Sequence, residues 1–436
     1  MKWIKKNKSL INNILIFLLI FVISFIVFSF IVPVWFDQVW SYGFSYNISK
    51  GLIIYRDFNV VQMPLYFILA SVFIKLFGNY MITTCIIDSL ILSGIIFIIF
   101  KTIGWKVIFP FIIFIVFPPS PYNLLSMFLL FIILYLIDKD KYNGILVALI
   151  VGFVFITKQN LGVLLFIPMF FYSKNKIKSL LMFIIPFLVI SIFFLCNNAL
   201  FDFIDYVFLG LFNFGNNNDI DYFFLILELI CFSYLSYYLV KSKFKDKEAF
   251  YVLAFQLVLY PLCEIRHFFV AFVPFLYYFL KTCRCNVIVL IVCTIEVLYI
   301  SFAFYYTVLP IDIHTKKDLL FLRNASSISY YLDDINKEFN GEIDNIYFDS
   351  DYSYLYKLYF NRNPNRLDFI LDGNMGYYSE KKIFTELDNH CKKDKCIFLL
   401  YKSVDSKNQY NGYRKFIKKH YKKIGDYKEL DVYYSK

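Results

Sequence analysis

Charge is scarce in this chain: 18% of its 436 residues are Asp, Glu, Lys or Arg, against about a quarter in soluble proteins. The shortage is local. Only 36 of residues 1–310 are charged, whereas 41 of the last 126 are. That step near Pro310 separates a lipid-soluble region from a water-soluble one. The nine cysteines lack the paired spacing of a metal site, and five lie in apolar runs, where cysteine acts as a small buried hydrophobe. No basic helix interleaved with aromatics occurs outside short loops, so the net charge of +11 does not point to nucleic acid. No small-residue cleavage site follows the first apolar run, which therefore reads as a retained helix with its N-terminus inside. No internal repeat is visible, unlike the repeated architecture common in transporters.

What is present is hydrophobic patterning: 59% of residues are hydrophobic and 22% aromatic. Apolar runs over 10–33, 80–100, 107–118, 122–137, 144–157, 161–172, 179–196, 222–240, 248–263, 266–281 and 286–309 are candidate spans. A further run, 64–77, begins at Pro64 and stops at Gly78. At about 1.5 Å per residue it is short of a bilayer. If it does not cross, eleven spans remain and 17 of the 22 basic residues before 311 fall inside. If it crosses, that bias inverts. The first alternative is expected, with 64–77 lying at the outer interface and residues 311–436 extracytoplasmic. The loops 34–63, 118–123, 157–160, 196–221 and 263–267 then share the outer face.

The first of these loops reads WFDQVWSYGFSYNISKGLIIYRDFNVVQMPLY over 35–66. Apolar and aromatic residues at helical spacing predict a short interfacial helix over 39–48 with a belt of Trp and Tyr, ended by Gly51. Asp37 either caps that helix or serves chemistry. Arg56 and Asp57 either pair with each other or meet a ligand.

The order of Asp37, Gly51, Tyr55, Arg56, Asp57, Phe58, Pro64, Leu65, Tyr66, Leu76, Phe77 and Gly78 resembles the GT-C superfamily of integral-membrane glycosyltransferases. This superfamily includes the protein O-mannosyltransferases and the aminoarabinose transferases. The resemblance extends more weakly through Thr157, Lys158 and Gln159. It implies an all-α polytopic membrane bundle of about eleven spans over 1–310, with a first outer loop at 34–79. A small α/β extracytoplasmic domain would follow over 311–436. It also implies transfer of a sugar from a polyprenyl-phosphate donor to a cell-envelope glycan, lipid or protein. Gln38 stands where many relatives have a second acid, and Gln62-Met63 where many have Lys-Pro. The motifs thus require no cofactor, and a divalent metal is left as an alternative.

Such transfer needs a carboxylate to orient or deprotonate the acceptor and cations to stabilise the departing phosphate. Asp37 is the first candidate for the carboxylate and Asp57 the second, because pairing with Arg56 would lower its basicity. Arg56, Lys158 and Arg266 are the candidate phosphate ligands. Lys158 would otherwise snorkel to headgroups, and Arg266 would otherwise pair with Glu264. Tyr55, Gln62, Gln159, Glu264 and His267 share these loops and are the candidate substrate contacts. Asp88 lies within a span, where an acid is costly. Asp202, Asp205, Asp219 and Asp221 read as solvated loop carboxylates.

After residue 326, short apolar runs alternate with amphipathic ones. NIYFDS, RLDFILDGNMGYY, CIFLLY and ELDVYYS are expected strands, and YSYLYKLYF and YRKFIKKHY expected helices. Gly373 and Gly376 predict a tight turn. Cys391 and Cys396 either form a disulfide outside the cytoplasm or stay free. Two other classes of function fit the same outline: a flippase for a lipid-linked precursor, and a non-catalytic envelope assembly protein.

Overall fold

The computed structural model describes residues 8–31, 36–116, 118–214, 221–257, 265–283, 295, 325–339, 345–349, 352–370, 375–402 and 411–435. They fall into two compact units. One contains residues 1–33, 82–189 and 219–311, and the other 34–81, 190–218 and 312–436. Apart from residue 295, the expected span 286–309 lies outside the described residues, as do Asp219, Glu264 and Gly373.

The first unit is helical. Five helical stretches are long and apolar enough to cross a membrane: Leu10–Ser29, Met81–Phe114, Pro121–Asp138, Lys176–Cys196 and Tyr222–Lys241. Shorter apolar helices include Gly144–Phe155 and Gln159–Tyr172. Gly104, at φ +67°, ends the helix Met81–Ile103 before Ile108–Val116, where the sequence reading put two runs. Pro121–Asp138 buries Leu130, Phe131 and Leu134. By contrast, Lys176–Cys196 and Tyr222–Lys241 leave Leu188, Val189, Ile192, Ile226, Leu229 and Ile230 exposed. Helices satisfy their own backbone hydrogen bonds, so such apolar faces suit lipid. Asp88 is buried on Met81–Ile103, at 6% exposure.

The basic loops of this unit gather at one end. Lys281 Nζ lies 2.7 Å from both Asp138 Oδ1 and Glu248 Oε1. Lys106 donates to Leu280 O, and Tyr172 OH to Phe244 O at 2.8 Å. The loops 118–123 and 157–160 also meet: Lys158 Nζ donates to Asn123 Oδ1 at 2.7 Å.

The second unit is built on helix Phe36–Ser49. The expected interfacial belt is not what forms. Tyr42, Phe44 and Tyr46 are buried together with Ser41, Ser45 and Asn47, so the helix is central to its unit. Small residues allow this: a Cβ on Gly43 would come within 2.3 Å of the Tyr354 ring. Helix Leu65–Phe77 is capped by Pro64 and Gly78 (φ +101°), at the limits read from sequence. It buries Tyr66, Phe67, Ala70, Ser71 and Ile74, with Phe67 edge-on to Phe44 at 5.3 Å.

The C-terminal part carries a four-stranded sheet: β1 Ile346–Phe348, β2 Ile397–Tyr401, β3 Lys422–Tyr427 and β4 Leu430–Tyr434. The order is β1-β2-β4-β3, with β1 and β2 parallel and the other pairs antiparallel. β2 is the continuous apolar run IFLLY, nearly all of it buried. β3 was not expected; it is a lysine-bearing edge with an irregular register near Gly425, features that discourage further strand pairing. Leu332, Ile335, Phe348, Leu399, Leu430 and Val432 form the core. Helices Ala325–Glu338, Tyr352–Tyr359, Ser379–Lys393 and Asn411–His420 complete this part, and Cys391 is bonded to Cys396.

Residues 366–370, the described start of the expected strand RLDFILDGNMGYY, are not extended as a strand. Residues Arg366–Asp368 form a short 3-10 turn with a capping box between Asn365 and Asp368. The Asn59 amide then donates to the carbonyls of Arg366 and Phe369 at 2.8 and 3.0 Å. Side chains, not a neighbouring strand, satisfy this backbone.

Candidate active site

The turn that follows helix Phe36–Ser49 is set by local hydrogen bonds. Gly51, at φ +88°, lets its N–H reach Ile48 O and that of Leu52 reach Asn47 O, the kind of left-handed stop that glycine permits. Residues 53–58 then close on themselves. Asp57 N donates to Ile53 O at 2.9 Å, and Ile53 N donates to Asp57 Oδ2 at 2.7 Å. Tyr55 adopts φ +72°, a strained conformation for a bulky residue. Packing holds it there: the ring is fully buried, 5.2 Å from Phe194 and 5.3 Å from Phe203. Its hydroxyl donates to Gln62 O at 2.7 Å.

With Tyr55 turned inward, Arg56 turns outward. Its Nε and Nη2 donate to the two oxygens of Asp57 at 2.8 and 3.0 Å, and Nη1 donates to Asn197 O at 3.1 Å. The Arg56 side chain remains 42% exposed. Burial pushes the Asp57 carboxyl up. The Arg56 hydrogen bonds, the Ile53 amide and the charges of Arg56 and Arg366 outweigh it and hold the group below its ordinary value. Asp57 is therefore an ionised support for Arg56 and a poor general base. The hydrogen bonds and charge of Asp57 in turn raise the guanidinium pKa. Burial raises the Asp202 carboxyl, partly offset by Lys382 and Arg366.

Sequence reasoning missed the residues that hold this turn. Arg366 Nη2 donates to Tyr55 O at 3.1 Å and also to Arg56 O, fixing the backbone of the Tyr-Arg pair. Tyr206 OH donates to Asn59 Oδ1 at 2.7 Å, and Asn47 donates to Pro364 O at 2.8 Å. Asp205 is not the solvated loop carboxylate expected. It is fully buried and accepts from the N–H groups of Tyr377, Tyr378 and Ser379 and from Ser379 Oγ, at 2.8 to 3.1 Å. These amides open helix Ser379–Lys393, an electropositive end that favours a carboxylate. Gly376, at φ +74°, makes room for it: a Cβ there would lie 2.4 Å from Asp205 Oδ2. Asp221 is a helix cap, accepting from Phe223 N at 3.0 Å. None of these contacts has a local sequence signal, because each joins residues more than a hundred positions apart except the Asp221 cap.

The structure brings Tyr55, Arg56, Asp57 and the Gln62 carbonyl into one turn. Asp37 is half-buried in the first turn of the same helix whose far end leads into that turn. Lys158, Gln159, Arg266 and His267 belong to the first unit. Lys158 precedes helix Gln159–Tyr172, and its bond to Asn123 replaces simple snorkelling. Arg266 and the half-buried His267 lie in the first turn of helix Ile265–Thr282. Glu228 is a buried acid that went unnoticed. It shares the buried stripe of Cys231, Leu235 and Leu239, and among the described residues neither of its oxygens has a hydrogen-bond partner. Among the described residues, no group of three or more His, Cys, Asp or Glu is placed to hold a metal ion.

No protein-family model matches the sequence, and no curated protein matches it. Solved structures do share its fold. The crystal structure of ArnT from Cupriavidus metallidurans in the apo state superposes with a TM-score of 0.58 at 10% identity, covering 98% of each chain. The structure of that ArnT bound to undecaprenyl phosphate gives 0.53 at 10% identity, over 99% of this chain and 98% of that one. The likeness spans both units, and ArnT is an aminoarabinose transferase of the GT-C family, the grouping that residues 35–78 resemble. The chain is thus a multi-pass integral membrane protein with the fold of ArnT.

Proposed function

We propose that this protein is a glycosyltransferase that moves a sugar from a polyprenyl-phosphate donor to a cell-envelope acceptor on the non-cytoplasmic face. The observation that carries this reading is the ArnT fold over essentially the whole chain, one of those ArnT structures being bound to undecaprenyl phosphate. The outward Arg56, held by Asp57 and Arg366, supports it. In the reaction an acceptor oxygen attacks the anomeric carbon, the bond from that carbon to the phosphate oxygen breaks, and polyprenyl phosphate leaves. Asp37 orients the acceptor and takes its proton. Arg56 binds the phosphate as negative charge accumulates. Tyr55 and Gln62 contact the substrates. A divalent metal is not required by this scheme.

Loss of a general base typically costs about 10²–10⁴-fold in rate. Membranes containing Asp37→Asn are therefore expected to transfer labelled sugar from the lipid donor at least about a hundredfold more slowly, with the protein present at the native level. Undiminished transfer would remove Asp37 from the mechanism. The proposed sidedness is tested with Lys141→Cys, in the basic loop between two apolar helices. An impermeant thiol reagent should label it only after the membrane is opened.

A further inference from the structure

Outside the turn at Arg56, the C-terminal part contains a cavity of about 510 Å³ whose lining includes Lys392, Lys419, His420, Tyr421, Lys422 and Tyr434. Its size lies within the ordinary range of small-molecule sites. Three different elements send cations into it. Lys392 is in the last turn of helix Ser379–Lys393, Lys419 is in that of helix Asn411–His420, and Lys422 begins β3.

One acid, Asp388, shares the lining. It is matched by Lys392 at 2.5 Å and accepts from Tyr421 OH at 3.4 Å. Among the described residues no carboxylate pairs with Lys419 or Lys422. The next lysine on β3 behaves differently: Lys423 is neutralised by Asp426 and Asp431 at 2.7 and 2.8 Å. Basic residues at helix C-termini are ordinary, which accounts for Lys392 and Lys419. It does not account for Lys422, which comes from a strand and lines the same cavity.

The floor is rigid. Cys391 lines it and is bonded to Cys396. Cys396 N donates to Ser435 Oγ at 2.7 Å, and Ser435 N donates to Cys396 O at 3.0 Å. Ser435 is buried, at 2% exposure, and its hydroxyl accepts that bond, so its proton is available to a ligand. On the side, the His420 ring stacks on Phe416 at 4.5 Å, and Tyr421 and Tyr434 supply further ring surface.

We propose that this cavity binds a phosphorylated saccharide. The ammonium groups of Lys419 and Lys422 take the phosphate, the Ser435 hydroxyl donates to it, and the tyrosine and histidine rings bear on the sugar. A glycolipid headgroup and a free sugar phosphate share this chemistry. The proposal does not depend on the transferase reading.

The test is binding to the full-length protein in detergent, by calorimetry, with glucose 1-phosphate, inorganic phosphate and glucose as probes. Glucose 1-phosphate should bind saturably, and more tightly than inorganic phosphate. Glucose alone should give no signal. The double variant Lys419→Glu/Lys422→Glu should weaken binding at least tenfold, and Lys419→Gln/Lys422→Gln severalfold with an unchanged unfolding temperature. Arg56→Ala, which removes the phosphate contact of the proposed catalytic site, should bind glucose 1-phosphate as the native protein does, and a loss of binding in that variant would assign the signal to the catalytic site. Competition by vesicles containing a phosphorylated glycolipid, but not by vesicles lacking it, would assign the ligand to the membrane. Absence of competition would assign it to a soluble sugar phosphate. No saturable binding, or equal binding by the charge-reversed protein, overturns the site. Equal affinity for inorganic phosphate and glucose 1-phosphate overturns the saccharide.

Discussion

Asp57 and Asp205 both hold a bend of the second unit, one at the surface and one fully buried. Asp57 shares its charge with an exposed arginine and bonds one amide of its own turn. Asp205 is removed from water and receives four hydrogen bonds from residues 377–379. A buried carboxylate without such donors would be prohibitive, so Asp205 acts as a fixed joint. An exposed pair is weakly stabilising, so the proposed phosphate contact of Arg56 would replace the Asp57 bonds at little cost. One compact unit thus holds both a buried joint and a solvent-facing ion pair.

The sharpest way to break it is Asp205→Ala. Orphaned buried donors cost roughly 1–3 kcal/mol each, so the loss of four bonds is expected to cost at least about 4 kcal/mol by denaturant titration, together with loss of transfer. Gly376→Ala attacks the same joint from the other side. Strain at positive φ and the collision with Asp205 should cost about 1–3 kcal/mol, and Gly376→Ala combined with Asp205→Ala should cost less than the sum. Arg56→Ala should show the opposite profile: stability within about 1 kcal/mol of native, with transfer reduced at least tenfold and Arg56→Lys intermediate.

The smallest effect concerns pH. The folded Asp57 carboxyl lies below its unfolded value, about 3.9. Its contribution to stability is then complete above that value and is lost as the pH falls through the lower folded one. The stability difference between native protein and Asp57→Asn should therefore be constant from about pH 5 to 8 and shrink only in stronger acid. A difference that changes near neutral pH would contradict the ion-pair role.

Much of the first unit was legible because lipid imposes a simple rule: long apolar runs become helices, and basic loops collect at one end. Lys281 between Asp138 and Glu248, and Lys106 against Leu280, put into contact loops that the charge pattern had grouped. Helix Leu65–Phe77 was readable for a local reason, since Pro64 and Gly78 are strong punctuation. The belt over 39–48 was misread because its periodicity is that of any amphipathic helix, and only Tyr354 over Gly43 shows what covers it. Residues 366–370 did not form the expected strand because Asn365, Asp368 and Asn59 compete for the same backbone groups.

Composition and periodicity alone determined that this is a membrane protein with a polar C-terminal part, because burying or exposing apolar surface is a property of each segment by itself. The order of residues 37–78 pointed to the architecture. Which acid is ionised at the surface and which is a buried joint was decided only by tertiary structure. Asp57 and Asp205 have the same chemistry, and their partners, Arg56, Arg366 and the amides of 377–379, are fixed by packing between segments far apart in the chain.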